Sequence, residues 1–140
     1  MKVLWIEDHP RLRQLISIAA DHASRRRLPL DLVFAPTLMD AEARLRRERF
    51  DLAIVDLRLP DAFDEETTLT RLCTFPGVRF VICSASEEGP RLAEMARRAG
   101  CACGARVISK SELPVTQFTR APQLLHDWIA GLIAELDAAA

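Results

Sequence analysis

The sequence predicts an α/β domain in which a parallel five-stranded sheet is covered by helices on both faces. Three observations lead there. Short apolar runs alternate five times with longer segments of helical period. The runs are continuously apolar, as strands buried on both faces are, and do not alternate like half-exposed ones. Acids, a hydroxyl and a lysine follow four of the five runs, where an open α/β sheet collects its functional side chains.

The first strand is Val3-Leu4-Trp5-Ile6, with Trp5 read as core. Leu12, Leu15, Ile16, Ala19 and Ala23 recur on one helix face, and Pro10 suits the first turn of that helix. Leu30 to Ala35 is the second strand. Thr37 to Arg47 follows as a helix with Thr37 as N-cap and Leu38, Ala41 and Leu45 facing inward. The third strand, Leu52-Ala53-Ile54-Val55, leads through a polar, Pro-containing loop to a helix near Glu65 to Phe75. The Pro76-Gly77 turn then opens a fourth strand, Arg79 to Cys83. A helix from Gly89 to Ala99, a connection rich in Gly and Cys, and a fifth strand at Arg106-Val107-Ile108 come next. The final helix begins near Pro122 and carries a stripe of Leu124, Leu125, Trp128, Ile129, Leu132, Ile133 and Leu136. The stripe reads as core packing, with a second copy or an output partner as the alternative occupant. Parallel neighbours need crossover connections, and these helices supply them.

Length and composition narrow the class. A chain of 140 residues can bury a core of its own, and residues 1–140 read as one domain without a separate output domain. With 49% apolar and 28% charged residues, the composition excludes a disordered chain. The net charge is −1 and the densest basic run, Arg25-Arg26-Arg27, is short, so charge leaves no nucleic-acid footprint. No apolar run nears the roughly 18–20 residues a membrane span needs, and the N-terminus lacks a signal-peptide pattern. A cytoplasmic location without membrane contact is expected. Cys73, Cys83, Cys101 and Cys103 show no secreted-framework spacing and read as reduced thiols. Cys101 and Cys103 form a CxC pair, but no matching His/Cys pair accompanies it. His9, His22 and His126 are given no role.

The chemistry sits after the strands. Glu7-Asp8 follow the first strand, Asp56 the third, Ser84 the fourth, and Ser109-Lys110 the fifth. In the doubly wound order 2-1-3-4-5, the flavodoxin-like (βα)5 arrangement, those four strands are consecutive and their end groups meet in one crevice. The second strand lies at the edge and ends in Ala35-Pro36, which adds no such group. Three neighbouring carboxylates repel one another unless a cation or a shared proton compensates. All-oxygen donors suit a hard cation such as Mg²⁺. With Lys110 as a second positive charge and Ser84 as a hydroxyl donor, the crevice has the ingredients of phosphoryl transfer.

Four motifs carry a family resemblance: Ile6-Glu7-Asp8-His9-Pro10, Asp56-Leu57-Arg58-Leu59-Pro60-Asp61, Cys83-Ser84-Ala85 and Ser109-Lys110-Ser111. In this order, each at a strand end, they resemble the motifs of response-regulator receiver domains over nearly the whole chain. The resemblance implies a phosphoacceptor in two-component signalling. Asp56 would accept a phosphoryl group from a sensor histidine kinase or a phosphotransfer protein. Mg²⁺ would be held by Glu7, Asp8, Asp56 and the Arg58 main-chain carbonyl, and Ser84 and Lys110 would contact the phosphoryl group. It also implies no enzyme activity beyond the domain's own phosphorylation and dephosphorylation. A surface of helix four, strand five and helix five would switch its binding to a downstream protein or a second copy, with no direct nucleic-acid contact.

Two other readings share the ingredients. A Mg²⁺-dependent aspartyl-phosphate phosphatase or phosphotransferase generally needs a second acid near the nucleophile, and Arg58 stands two residues after Asp56. The fold could instead serve as an interaction module without phosphorylation. The chain also departs from the receiver pattern in places. Val107 stands three residues before Lys110, where receivers usually carry Tyr or Phe. The glycine common after the Pro60-Asp61 loop is replaced by the acidic stretch Asp64-Glu65-Glu66, and the Gly100 to Ala105 connection is long. These differences bear on output, predicting a switch that does not rotate an aromatic ring at 107, and leave phosphoryl acceptance intact.

Overall fold

In the computed structural model, which describes residues 1–85, 89–101 and 106–139, the five apolar runs form β1 (Lys2–Ile6), β2 (Asp31–Ala35), β3 (Leu52–Val55), β4 (Phe80–Ser84) and β5 (Arg106–Ser109). All pair in parallel, in the order β2-β1-β3-β4-β5. The helices are α1 (Pro10–Arg25), α2 (Leu38–Arg47), α3 (Glu65–Leu72), α4 (Gly89–Arg98), α5 (Val115–Arg120) and α6 (Pro122–Ala139), with a 3₁₀ turn at Lys110–Glu112. Among the described residues, no helix is long and apolar enough to cross a membrane.

Successive strand residues point to opposite faces, so each strand feeds two cores. From β1, Leu4 and Ile6 join Val55, Ile82, Leu38, Leu69 and Leu92 in the layer under α2, α3 and α4. Val3 and Trp5 join Ile54, Val81, Ile16, Phe118, Leu125 and Ile129 under α1, α5 and α6. Trp5 is fully buried and stacks on Trp128 at 6.1 Å, as expected of a core residue. Leu125, Ile129, Leu132 and Leu136 of the α6 stripe are buried in that core, and Leu124 is the member left exposed.

Several boundaries differ from the sequence reading. β4 runs one residue later, because Ser84 pairs in register with Ser109 of β5. α3 stops at Leu72; Cys73 caps it through Leu69 O, and the chain turns toward Gly77, whose φ of 76° needs a glycine. The final helix starts at Pro122, as read, but a short helix that the sequence reading lacks stands before it. α5 precedes α6 and plants Phe118 against Trp128 at 5.5 Å, a contact no local periodicity announces.

The cysteines require a correction. Cys73 and Cys101 were read as reduced thiols, yet they are joined as a disulfide with their Cα atoms 5.0 Å apart. The reason is topological: α3 and α4 lie side by side on one face, which brings together two residues 28 apart in sequence. Cys83 is a buried free thiol; of the CxC pair, Cys101 is in the disulfide and Cys103 lies outside the described residues.

Candidate functional site

Sheet order places the carboxyl ends of β1 and β3 next to each other, with β4 and β5 beyond. Glu7 extends the β1 ladder by donating its N–H to Ala35 O at 3.0 Å, and the Asp56 N–H reaches Ile6 O at 2.9 Å. Both side chains therefore start from backbone fixed by the sheet. Glu7 is fully buried, Asp56 is 6% exposed and Asp8 is half-buried. One carboxylate oxygen from each lies within 4.8 Å of the others.

Lys110 closes the cluster from the turn after β5. Its ammonium stands 3.0 Å from Asp56 Oδ2 and donates to Glu7 Oε1 at 3.1 Å. The other Asp56 oxygen, Oδ1, accepts from the Arg58 main-chain N–H at 3.0 Å, and Glu7 Oε1 also accepts from His9 N–H at 3.1 Å. Burial raises the Glu7 carboxyl pKa, and repulsion from Asp56 adds to it, against the hydrogen bonds from Lys110 and His9. Burial works to lower the Lys110 pKa, but its bonds to Glu7 and Asp56 outweigh that and raise it, so the ammonium stays charged. Ser84, at the end of β4, is also buried.

The residues present fit a hard divalent cation. Lys110 pairs with two of the three carboxylates, Glu7 and Asp56, and Glu7 Oε2 is buried without a hydrogen bond, although the Lys110 ammonium lies 2.9 Å away. A buried carboxylate oxygen left in that state is a natural cation ligand. Oxygen donors without His or thiolate favour Mg²⁺ among the common metals.

Sequence reasoning missed some supporting residues. Asp61 accepts from the first N–H groups of α2, Leu38 at 2.8 Å and Met39 at 2.9 Å, while Thr37 Oγ1 takes Asp40 N–H as expected. The loop after β3 is thereby pinned to a helix 22–23 residues earlier in the chain, and only the pairing of β1 with both β2 and β3 brings the two together. His9 remains exposed but caps α1 through Nδ1, which accepts from Leu12 N–H. The missing glycine after Asp61 has a simple explanation: among the described residues of that loop no φ is positive. A shallow cavity of about 270 Å³ beside the acids is lined by Asp8, Arg58, Pro60, Phe63 and Asp64, with Phe63 93% exposed at its edge. The larger cavity, about 470 Å³ between Arg46, Phe50, Phe75 and Arg79, lies at the amino ends of the strands, far from this chemistry.

A parallel 2-1-3-4-5 sheet with an acidic cluster at the β1 and β3 ends is the architecture of receiver domains, and the chain has the CheY-like response-regulator receiver fold. Solved structures agree. The CheY-like response regulator receiver domain protein from Methanospirillum hungatei is 18% identical, with a TM-score of 0.69 over 99% of this chain and 98% of that one. The BeF3-activated N-terminal receiver domain of Klebsiella pneumoniae RstA is 24% identical, with a TM-score of 0.63 over 90% of this chain and 97% of that one. The response regulator protein PilR of Pseudomonas aeruginosa is 38% identical over 60 residues, which is 43% of this chain and 12% of PilR. This chain thus spans a small part of that relative's length. No family model matches the chain.

Proposed function

We propose that the domain is a phosphoacceptor receiver of two-component signal transduction, with Asp56 as the residue phosphorylated. The observation that carries this reading is the contact of one lysine, Lys110, with both Glu7 and Asp56 in a buried acidic cluster. A carboxylate oxygen of Asp56 attacks the phosphorus of a phosphohistidine or a small acyl phosphate. The new O–P bond forms as the bond to the donor nitrogen or oxygen breaks, and the donor keeps the electron pair. Arg58 N–H and Lys110 hold the carboxylate in place before the attack. Lys110 then follows the charge onto the transferred oxygens, and the Ser84 hydroxyl donates to one of them. Glu7, Asp8, Asp56 and the Arg58 main-chain carbonyl would hold Mg²⁺, which would supply further charge neutralisation at the phosphoryl oxygens.

Residues 1–140 act as one such unit in the cytoplasm. The donor is a sensor histidine kinase or a phosphotransfer protein, and the readout is binding of a downstream protein or second copy at the face of α4, β5 and α6. Output proceeds without an aromatic ring at position 107, where Val107 is half-buried under α4. The test is intact mass after incubation with a small acyl phosphate, with and without Mg²⁺, beside Asp56→Asn. A Mg²⁺-dependent gain of one phosphoryl group that the variant lacks supports the reading. A gain retained by Asp56→Asn rejects Asp56 as the acceptor.

A further inference from the structure

The crevice chemistry leaves Cys73 and Cys101 unused, and their placement differs sharply from that of Cys83. Cys83 is fully buried, and burial pushes its thiol up to about 12, so it stays protonated and inert. Cys73 and Cys101 are only partly buried and line an open cavity of about 400 Å³ with Phe75, Gly77, Arg79 and Asp137. Their Cα separation of 5.0 Å lies inside the range a disulfide spans without backbone movement. A bridge that forms in place and faces a surface cavity is within reach of small thiols and disulfides.

The bridge adds a covalent tie to a helix that otherwise rests on α3, β5 and the core by non-covalent packing. α4 fully buries Leu92 and Ala96, and Met95 packs partly buried against the same core. Near its amino-terminal end it meets α3 through the exposed Arg91–Glu65 ion pair, and three residues past its carboxyl-terminal end the covalent bridge ties the chain to the end of α3. Surface ion pairs contribute little, so the disulfide is the stronger of the two ties. α4 in turn lies between the strand ending in Ser84 and the strand leading to Lys110.

We propose that Cys73 and Cys101 are a reversible redox pair whose disulfide fixes α4 onto α3 and whose dithiol form releases it. The exchange is balanced with a low-molecular-weight disulfide. The Cys73 thiolate attacks one sulfur of RSSR, RS⁻ departs, and the Cys101 thiolate displaces the second RS⁻ from the mixed disulfide. Two protein thiols are thereby oxidised, and two RSH are formed from the two thiolates and the two protons released. A dithiol runs the reaction backwards. Nothing in this step involves Asp56, and the pair behaves identically in Asp56→Asn.

The test holds the native full chain in glutathione buffers of graded reduced-to-oxidised ratio, alkylates it without unfolding, and maps the labelled cysteines by mass. Toward the reducing end, Cys73 and Cys101 gain label together while Cys83 stays unlabelled; returning the protein to oxidising buffer abolishes the gain. Amide exchange measured in the same buffers speeds up across residues 89–98 on reduction and is unchanged in β1 and β3. Bonding of Cys101 to Cys103 instead, reduction only after unfolding, or independent labelling of the two residues overturns the redox pair. Reversible pairing with unchanged α4 exchange overturns the claim that the bridge holds α4. Cys73→Ser serves as a second check, because its α4 exchange should match that of the reduced protein in every buffer.

Discussion

At the residue scale, Lys110 is the group whose removal separates chemistry from fold most cleanly. It touches both Glu7 and Asp56 yet is 22% exposed, so truncation leaves an opening that water can enter. Lys110→Ala is expected to slow phosphoryl gain from an acyl phosphate by about 10²–10³-fold, the range for deleting one preorganised electrostatic contact. Time-resolved intact mass reads it, and a rate within twofold of the parent would remove Lys110 from the mechanism. The positions of the candidate site residues Glu7, Asp8, Asp56, Ser84 and Lys110 were legible because each lies at or just past the carboxyl end of a strand, where a parallel sheet gathers side chains. Cys73 and Cys101 were not. One ends a helix and the other follows a helix 28 residues later, and nothing in the local pattern says that α3 and α4 are neighbours. His9 was set aside as a solvated side chain, and it is exposed; its cap on α1 depends on a ring nitrogen, which residue type alone does not announce.

At the element scale, α2 shows how a loop can hold a helix. The first N–H groups of a helix have no partner inside it, and here Asp61 takes two while Thr37 takes another. Burial is the largest single influence on Asp61 and raises its pKa, but the N–H groups of Met39 and Leu38, with its own, together outweigh it, and the carboxyl lies below its ordinary value of 3.8. A depressed acid contributes stability that is present above the unfolded value and is lost as pH falls through the folded one. Asp61→Ala is therefore expected to cost about 1 kcal/mol at neutral pH, as loss of an N-cap does, and the gap should narrow steadily below pH 3.8. Urea midpoints of the two proteins measured from neutral to acid pH check this, and a gap independent of pH would mean that the carboxylate charge is irrelevant. On the other face, Ile129→Ala removes a fully buried side chain from the α6 stripe and should cost about 2–5 kcal/mol by the same urea assay. That stripe was readable from helical spacing, whereas α5 was not: its six residues are too few to display a period, and it is held by Phe118 meeting Trp128.

At the scale of the whole molecule, the sheet is built around a charge imbalance that it does not resolve itself. The order of strands and the two-sided core were readable because continuous apolar runs can be buried only between helices, but the balance of charge in the crevice needs coordinates. Glu7, Asp8 and Asp56 bring three carboxylates together against the single ammonium of Lys110, and one oxygen of Glu7 is buried without a hydrogen bond. A cation that binds this arrangement in the folded chain and not in the unfolded one must raise the stability of the entire domain. The gain is about 2.7 kcal/mol when free Mg²⁺ stands at roughly 100 times its Kd, enough to move Tm upward by several degrees. The sign of the pH effect follows from Glu7. Its carboxyl is raised above the ordinary 4.5, so as pH falls through that raised value a proton occupies the ligand and competes with the cation. Without Mg²⁺ the same shift works the other way: the protonated acid favours the fold at low pH, and that contribution is lost as pH rises through the folded value. Thermal melts with Mg²⁺ or with a chelator should thus diverge most at neutral pH and converge in acid. In Asp8→Asn, which keeps the buried pair and its lysine, the Mg²⁺-dependent shift should shrink or vanish while the chelated Tm holds or rises. Equal Mg²⁺ shifts in the parent and in Asp8→Asn would place the cation somewhere other than the acidic cluster.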